Sequence, residues 1–176
     1  MNVMFNMKWK NCTSDYWMEF SNRFKNVRSE FMHEGGIGLV NEFEAMGYGE
    51  IFDQLGMENH SNDPQILSHI EEIQEKTLVY DLIDAGDNPE VYHLWFMHFT
   101  FENETPDQWI NTWLSDAQRP PRNEKFAIID DNNVMVFFEA DVTKAQMEAH
   151  VNRPEVAAHI AKVNERSRGW AARLRE

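Results

Sequence analysis

Alternating and helical hydrophobic patterns divide the chain into two similar series of elements. Apolar residues alternate along residues 2–10, and residues 92–102 are apolar on both faces of an extended chain, which predicts a strand at each place. After each strand an N-x-T-x-D-x-W motif, at residues 11–17 and 103–109, supplies a threonine suited to cap a helix. In the second series of elements a β-hairpin is expected, with its turn around residues 131–133. The same order of elements is therefore predicted twice.

The glycine-rich segment 34–56 interrupts the first series. It holds six of the chain's eight glycines. Residues 34–36 predict the end of the first helix, because glycine commonly ends helices. Two strands are expected after it, with residues 37–43 as the first. Glycine inside a strand indicates either a distorted hairpin or the close approach of a backbone or a ligand.

A block of 19 residues occurs twice, at 57–75 and at 147–165, and eight of its positions are identical. The identical pairs are Met57/Met147, Glu58/Glu148, His60/His150, Asn62/Asn152, Pro64/Pro154, His69/His159, Ile70/Ile160 and Glu75/Glu165. Each block reads as two helical pieces, and the proline suits the first turn of the second piece. Duplication of this kind predicts two copies of one structural unit.

The predicted fold class is α+β, with two tandem ferredoxin-like (β-α-β-β-α) repeats whose sheets pack face to face as an intrachain pseudo-dimer. A short strand at 77–82 closes the first repeat. We expect the first repeat to span 1–83, a linker 84–91 and the second repeat 92–166. The basic C-terminal tail, 167–176, is predicted to be helical. Further homo-oligomers are compatible with this plan.

The charge of the chain limits its partners. The net charge is −14, and residues 1–90 hold 17 acidic and 6 basic residues. Such a chain repels phosphate backbones and anionic membranes, so neither nucleic acid nor membrane is an expected partner; an acidic DNA mimic is the exception left open. Cys12, the only cysteine, excludes an internal disulfide. With no signal-like or spanning apolar stretch, a cytoplasmic location is expected.

Residues 137–156, FFEADVTKAQMEAHVNRPEV, resemble the end of antibiotic-biosynthesis-monooxygenase-like domains in the dimeric α/β-barrel superfamily. In that family a strand carrying a glutamate leads to a helix begun by aspartate, then a histidine and a second helical piece. Glu139, Asp141, His150 and the corner 152–154 match this pattern, although Asp141 replaces the usual aromatic residue. The resemblance implies the fold above. The family includes cofactor-free monooxygenases, heme-degrading and dismutase-like enzymes, and members without assigned activity.

Two residues are candidates for catalysis. His98 lies in the middle of an apolar strand, where burial favours the neutral imidazole, so it is a candidate general base or ligand contact. A core histidine bonded to the backbone is the alternative. Glu139 could polarise a substrate, or could pair with Arg122 or Lys125. The cavity is expected within residues 92–165. Its candidate ligand-binding residues are Trp95, Phe96, Trp109, Phe138, His150 and His159.

A structural role is an alternative explanation for the repeated histidines. His60 and His150 fall where a helical piece ends, where an imidazole can bond the last carbonyls. In resembling heme-degrading members a histidine near His159 ligates heme iron, but the expected tryptophan is missing from both blocks. No metal-ligand spacing is present, and we expect no cofactor.

The leading hypothesis is a soluble protein that binds a small apolar or aromatic organic molecule, in one form as a cofactor-free monooxygenase-like enzyme. The rival hypothesis is a non-catalytic, acidic interaction or regulatory module. An open, aromatic-lined cavity would favour the first, and filled interiors in both repeats would favour the second.

Overall fold

A computed structural model of the protein describes residues 1–86 and 89–176. It divides into two compact units, the first formed by Met1–Asp81 with Leu174–Glu176 and the second by Leu82–Arg173. The predicted linker, 84–91, falls within the second unit by this division, and its residues 87–88 lie outside the described part. Ala85 is buried in the hydrophobic core of the second unit.

The first unit has four strands and four helices in its described residues. They are β1 (Asn2–Lys8), α1 (Ser14–Arg23), α2 (Lys25–Arg28), β2 (Met32–Asn41), β3 (Glu44–Ile51), α3 (Gln54–Ser61), α4 (Pro64–Ile73) and β4 (Lys76–Ile83). The strands form an antiparallel sheet in the order β4-β1-β3-β2. The strand after the repeated block is therefore present, as predicted.

Local sequence explains where these helices begin. The Thr13 side chain accepts a hydrogen bond from the backbone N–H of Tyr16 and so caps α1. Asp63 caps α4 in the same way through Gln65, and Pro64 occupies the first turn, where its missing N–H costs nothing.

The predicted helix stop at residues 34–36 is wrong. The helical segment ends at Arg28, and Gly35 and Gly36 lie inside β2. The register of β2 against β3 shifts between Glu34 and Gly36. A Cβ at Gly35 would lie 2.3 Å from Cζ of Tyr48. The first of the two sequence-based explanations applies at this position, because the register shift shows a bulged hairpin. The close neighbour of Gly35 is a side-chain ring from β3, not a backbone or a ligand.

The second unit has the same order of elements as the first in its described residues, except that it has no counterpart of α2. They are β5 (Tyr92–Thr100), α5 (Pro106–Ser115), β6 (Arg122–Asp130), β7 (Asn133–Val142), α6 (Lys144–Val151), α7 (Pro154–Lys162) and β8 (Arg166–Leu174). Its antiparallel sheet has the order β8-β5-β7-β6. Thr105 and Thr143 begin α5 and α6 with complete capping boxes. Asp141, expected to begin a helix, lies instead in β7.

The helical tail predicted for 167–176 is also wrong. Most of this segment is β8, which pairs along β5, so Trp170 lies opposite Phe96 with their rings stacked at 6.1 Å. Its alanines, arginines and leucine favour a helix in isolation. Pairing with an available strand edge outweighs that preference.

A cluster of aromatic rings forms the core of the second unit. The indole of Trp109 is 2% exposed and lies parallel to the ring of Phe101, with centroids 5.5 Å apart. Phe99 and Trp113 contact the same indole. Within residues 1–86 and 89–176, no helix has the length and apolar character needed to cross a membrane.

Candidate functional site

Each unit contains a cavity lined by residues of its own strands and helices. The cavity of the first unit has a volume of about 360 Å³ and that of the second about 550 Å³. Both are within the size range of small-molecule sites in proteins. The cavity of the first unit was not expected, because the sequence favoured residues 92–165 as the place for a site.

Aromatic and apolar side chains line most of the second cavity. From β5 come Met97 and Phe99, and from α5 come Trp109 and Trp113. Polar and charged side chains also line it: Thr112, Ser115, Asp116, Gln118, Arg119, His150, Arg153, Glu155, His159, Glu165 and Ser167. A cavity whose wall combines apolar surface with polar groups can hold an organic molecule and fix its orientation.

Glu165 is a lining carboxyl group whose pKa is raised in this environment. Its Oε1 accepts a hydrogen bond of 2.6 Å from the indole Nε1 of Trp109. Burial raises the pKa of Glu165, and the carboxylate of Glu104 acts in the same direction, while Trp109 and His159 oppose them. Its Oε2 has no hydrogen bond among the described residues. This oxygen can therefore exchange a proton or a hydrogen bond with a bound molecule.

His159 is held by a carboxylate. Its Nε2 donates a hydrogen bond of 2.8 Å to Oε2 of Glu104, a residue from the loop before α5. The glutamate side chain is only 11% exposed, so the bond fixes the orientation of the ring.

His150 belongs to a charged group at another side of the cavity. Nη1 of Arg153 donates to its Nδ1 (3.3 Å), and its Nε2 lies 3.5 Å from Oδ2 of Asp116. In the neutral ring the proton is therefore on Nε2. Burial and then Arg153 lower the pKa of His150, against Asp116 and Glu155. Because both ring nitrogens are engaged, His150 orients its neighbours and is poorly placed as a base.

Corresponding sequence positions line the first cavity. Nε1 of Trp17 donates to Oε2 of Glu75 at 2.8 Å, as Trp109 does to Glu165. Met57, His60 and His69 of the first block line it, as Met147, His150 and His159 line the second. An arginine–glutamate pair also recurs, Arg28 with Glu34 (2.9 Å) and Arg119 with Glu124 (2.7 Å). The repeated blocks therefore supply equivalent walls to two cavities.

The polar groups of the two cavities differ in two respects. Oε1 of Glu75 accepts from the hydroxyl of Thr77 (3.1 Å), so both of its oxygens are occupied. Cys12 stands where the second unit has Glu104. His69 consequently lacks the carboxylate that holds His159, and its ring lies flat on Phe20 with centroids 3.5 Å apart.

The structure brings together three of the eight residues proposed from sequence. Trp109, His150 and His159 line the second cavity. Trp95 and Phe138 are buried in the core of the same unit. Phe96 is fully buried on the opposite face of β5, because side chains alternate along a strand and Met97 and Phe99 line the cavity. Half of the six predicted ligand-binding residues therefore line the cavity, together with many residues that were not predicted.

The two catalytic candidates, His98 and Glu139, are not among the residues that line the second cavity. His98 shares the face of Phe96, and its Nε2 donates to Oδ1 of Asn133 at 2.8 Å. Glu139 pairs with Arg122 (3.4 Å) at an exposed place on β7, one of the pairings that the sequence offered. Their catalytic role stays a prediction that the position of the cavity does not support.

Sequence reasoning missed the most informative acid. Glu165 is the last identical position of the repeated block, and Trp109 is the last residue of the repeated N-x-T-x-D-x-W motif. Because each of these two residues ends a motif that occurs twice, the sequence already indicated that their side chains lie in contact. The partners Glu104 and Asp116 carry no such sign, since neither is repeated. Within the described part of the chain, no three His, Cys, Asp or Glu side chains are grouped to hold a metal ion.

No protein-family model and no curated protein matches the chain. It is similar to a solved structure of a candidate monooxygenase from Lactobacillus acidophilus NCFM, with 12% identity, coverage of 99% of both chains and a TM-score of 0.32. It is similar to an anthrone oxidase-like protein (10% identity, 98% of this chain, 92% of that chain, TM-score 0.34). A third is a candidate glycine cleavage system transcriptional repressor (8% identity, 96% and 95%, TM-score 0.34). With TM-scores below 0.5, these similarities assign no function to this chain.

Proposed function

We propose that the second unit binds a small, largely apolar organic molecule in its cavity, with Glu165 as the polar group that meets it. The observation that carries this proposal is the carboxyl of Glu165, which is held by Trp109 and has a raised pKa in a cavity of about 550 Å³. The ring-lined walls favour an aromatic ligand, because aromatic pairs gain energy beyond the area they bury.

The reaction that fits this arrangement is a cofactor-free oxygenation. Glu165 takes a proton from a weakly acidic C–H or O–H bond of the bound molecule, and a carbon atom of the resulting anion forms a bond to molecular oxygen. The peroxide anion takes up a proton, and loss of water from this hydroperoxide breaks the O–O bond and leaves a carbonyl group. One oxygen atom stays in the product and the other leaves as water, so molecular oxygen is the oxidant. A raised carboxyl pKa suits this step, since a base works best when its pKa is close to the working pH. The open cavities in both units favour ligand binding over the rival hypothesis, a non-catalytic, acidic interaction or regulatory module.

Replacing Glu165 with glutamine tests the proposal. With 1-naphthol as the probe, we expect oxygen consumption at saturation to fall about 100-fold or more, which is the usual contribution of a general base. The wild-type rate should rise with pH as Glu165 loses its proton. Because burial raises the pKa of Glu165, that rise should come at a higher pH than for an ordinary glutamate.

The matched control is Glu75→Gln in the first unit. Glu75 makes the same bond to a tryptophan, but its second oxygen is already taken by Thr77. We expect this variant to keep the wild-type rate. Equal losses in the two variants would contradict the assignment of the reaction to the second unit. If ring compounds bind but no oxygen is consumed by wild type, the protein binds its ligand without oxidising it.

We also propose that the two units are tandem ferredoxin-like repeats, with the domain limits 1–83 and 92–166 expected from the sequence. The equivalent cavity walls support the repeat. Face-to-face packing of the sheets and a cytoplasmic location stay predictions. Units of this size bury a modest fraction of their surface alone, so residues 1–83 and 92–176 expressed separately should be unfolded or aggregated by circular dichroism and gel filtration. Two stable, monomeric halves would refute the packed pseudo-dimer.

A further inference from the structure

The first cavity contains buried polar nitrogens without partners. Both ring nitrogens of His69 and the Nη2 of Arg28 are buried and have no hydrogen bond among the described residues. The residue His69 is 6% exposed, and the side chain of Arg28 is 11% exposed. Buried polar groups are nearly always hydrogen-bonded, so unpaired ones at a cavity indicate a missing partner. Both residues line the cavity.

The rest of Arg28 is fixed in place. Its Nε donates to Glu34 (2.9 Å) and its Nη1 donates to the carbonyl oxygen of Ser21 (2.7 Å). The unpaired Nη2 is therefore a positioned donor, and it requires an acceptor atom from the ligand.

The charges around the cavity select a neutral acceptor. Arg28 is the one cation among the lining residues that the structure describes, and Glu34 and Glu75 are two formal anions. Burial lowers the pKa of His60 and of His69, which keeps both imidazoles neutral near pH 7. A carboxylate would add a third negative charge to a low-dielectric space, whereas a carbonyl oxygen would accept from Arg28 without that cost.

We propose that the first cavity is a second ligand site, which takes a neutral aromatic carbonyl compound such as an aryl ketone. The carbonyl oxygen meets Nη2 of Arg28, and the ring lies among Phe20, Phe24 and the methionines of the wall. The ring of Phe20 covers His69 at 3.5 Å, so rotation of this half-buried ring opens the imidazole to the ligand. The site stands independently of the reaction proposed for the second unit.

Three probes of similar shape test the proposal: 2-acetylnaphthalene, 2-ethylnaphthalene and 2-naphthoate. The methyl groups of the methionines report the place of binding, because Met7, Met32 and Met57 line the first cavity, while Met97 and Met147 line the second. We expect the ketone to shift the NMR signals of the first three. Its dissociation constant should be about tenfold lower than that of the hydrocarbon, the effect of one hydrogen bond to a charged donor.

Arg28→Met removes the donor and keeps much of the side-chain volume. We expect it to weaken ketone binding about tenfold and to leave hydrocarbon binding nearly unchanged. The matched variant Arg119→Met, in the second unit, should leave the shifts at Met7, Met32 and Met57 intact. If Arg28→Met fails to fold, the affinities of the three probes for the wild-type protein still test the proposal.

Several outcomes would overturn the proposal. Equal affinity for ketone and hydrocarbon would show that the unpaired nitrogens play no part. Tighter binding of 2-naphthoate would refute the argument from charge. NMR shifts confined to Met97 and Met147, or no binding of the ketone, would show that the first cavity is not a ketone site.

Discussion

Replacing Trp109 with alanine is expected to lower the free energy of unfolding by about 3–5 kcal/mol, the usual cost of deleting a buried large aromatic side chain. The indole is 2% exposed and lies at the centre of the core of the second unit, 4.8 Å from the ring of Phe99 and 5.5 Å from that of Phe101. Its removal leaves a cavity and also takes away the hydrogen-bond donor of Glu165. Urea unfolding followed by circular dichroism measures the loss.

Trp109→Phe is the control that separates packing from hydrogen bonding. Phenylalanine keeps a ring in the core but cannot donate to Glu165, so a loss of about 1–3 kcal/mol is expected. The Trp109 bond opposes the rise in the pKa of Glu165, so this pKa should be higher in the variant, which carbon-detected NMR of the carboxyl group can measure. An unchanged pKa would show that the indole does not stabilise the ionised carboxylate.

Gly35→Val is expected to cost about 3 kcal/mol or more, because overfilling a packed site forces neighbouring atoms to move. A Cβ at this position would lie 2.3 Å from Cζ of Tyr48, well inside contact distance. Tyr48 is 5% exposed and belongs to β3, which lies between β1 and β2 in the sheet, so the added side chain must displace a buried ring. Thermal or urea unfolding measures the loss.

A double-mutant cycle with Tyr48→Ala identifies the cause. Removing the ring should make the valine much less harmful, so the two changes together should cost less than the sum of their separate costs. Gly169→Ala gives the matched glycine control, because its Cβ would meet the flexible side chain of Met97 at 3.3 Å. If Gly35→Val and Gly169→Ala cost the same, the ring of Tyr48 is not the obstacle.

The fold was predictable where local chemistry decides it. Thr13, Pro64 and Thr105 begin helices as expected, because a cap or an N1 proline acts through its nearest backbone neighbours. Gly35 and the strand β8 were misread for the opposite reason. Gly35 is required by a ring 13 positions away, and β8 is a strand because β5 offers it an edge. Long-range contacts of this kind leave no local pattern in the sequence.

The candidate site was predictable to the extent that it is repeated. Duplication identified His150 and His159, and both line the second cavity. The choice of His98 as base followed from its apolar strand, but alternation alone could not tell which face of that strand meets a cavity. The two residues on either side of it, Met97 and Phe99, line the cavity and point to the other face of the strand. We therefore propose Glu165 as the base in place of His98.

The presence of both cavities in one polypeptide has a consequence for how they can evolve. A protein that built such a pair from two identical chains would carry the same residue at both places, and every mutation would alter both. Here Cys12 occupies one position and Glu104 the corresponding one, and a thiol and a carboxylate leave one histidine unpaired and the other bound. A single gene thus encodes two cavities in a fixed one-to-one ratio and allows selection to alter each of them separately.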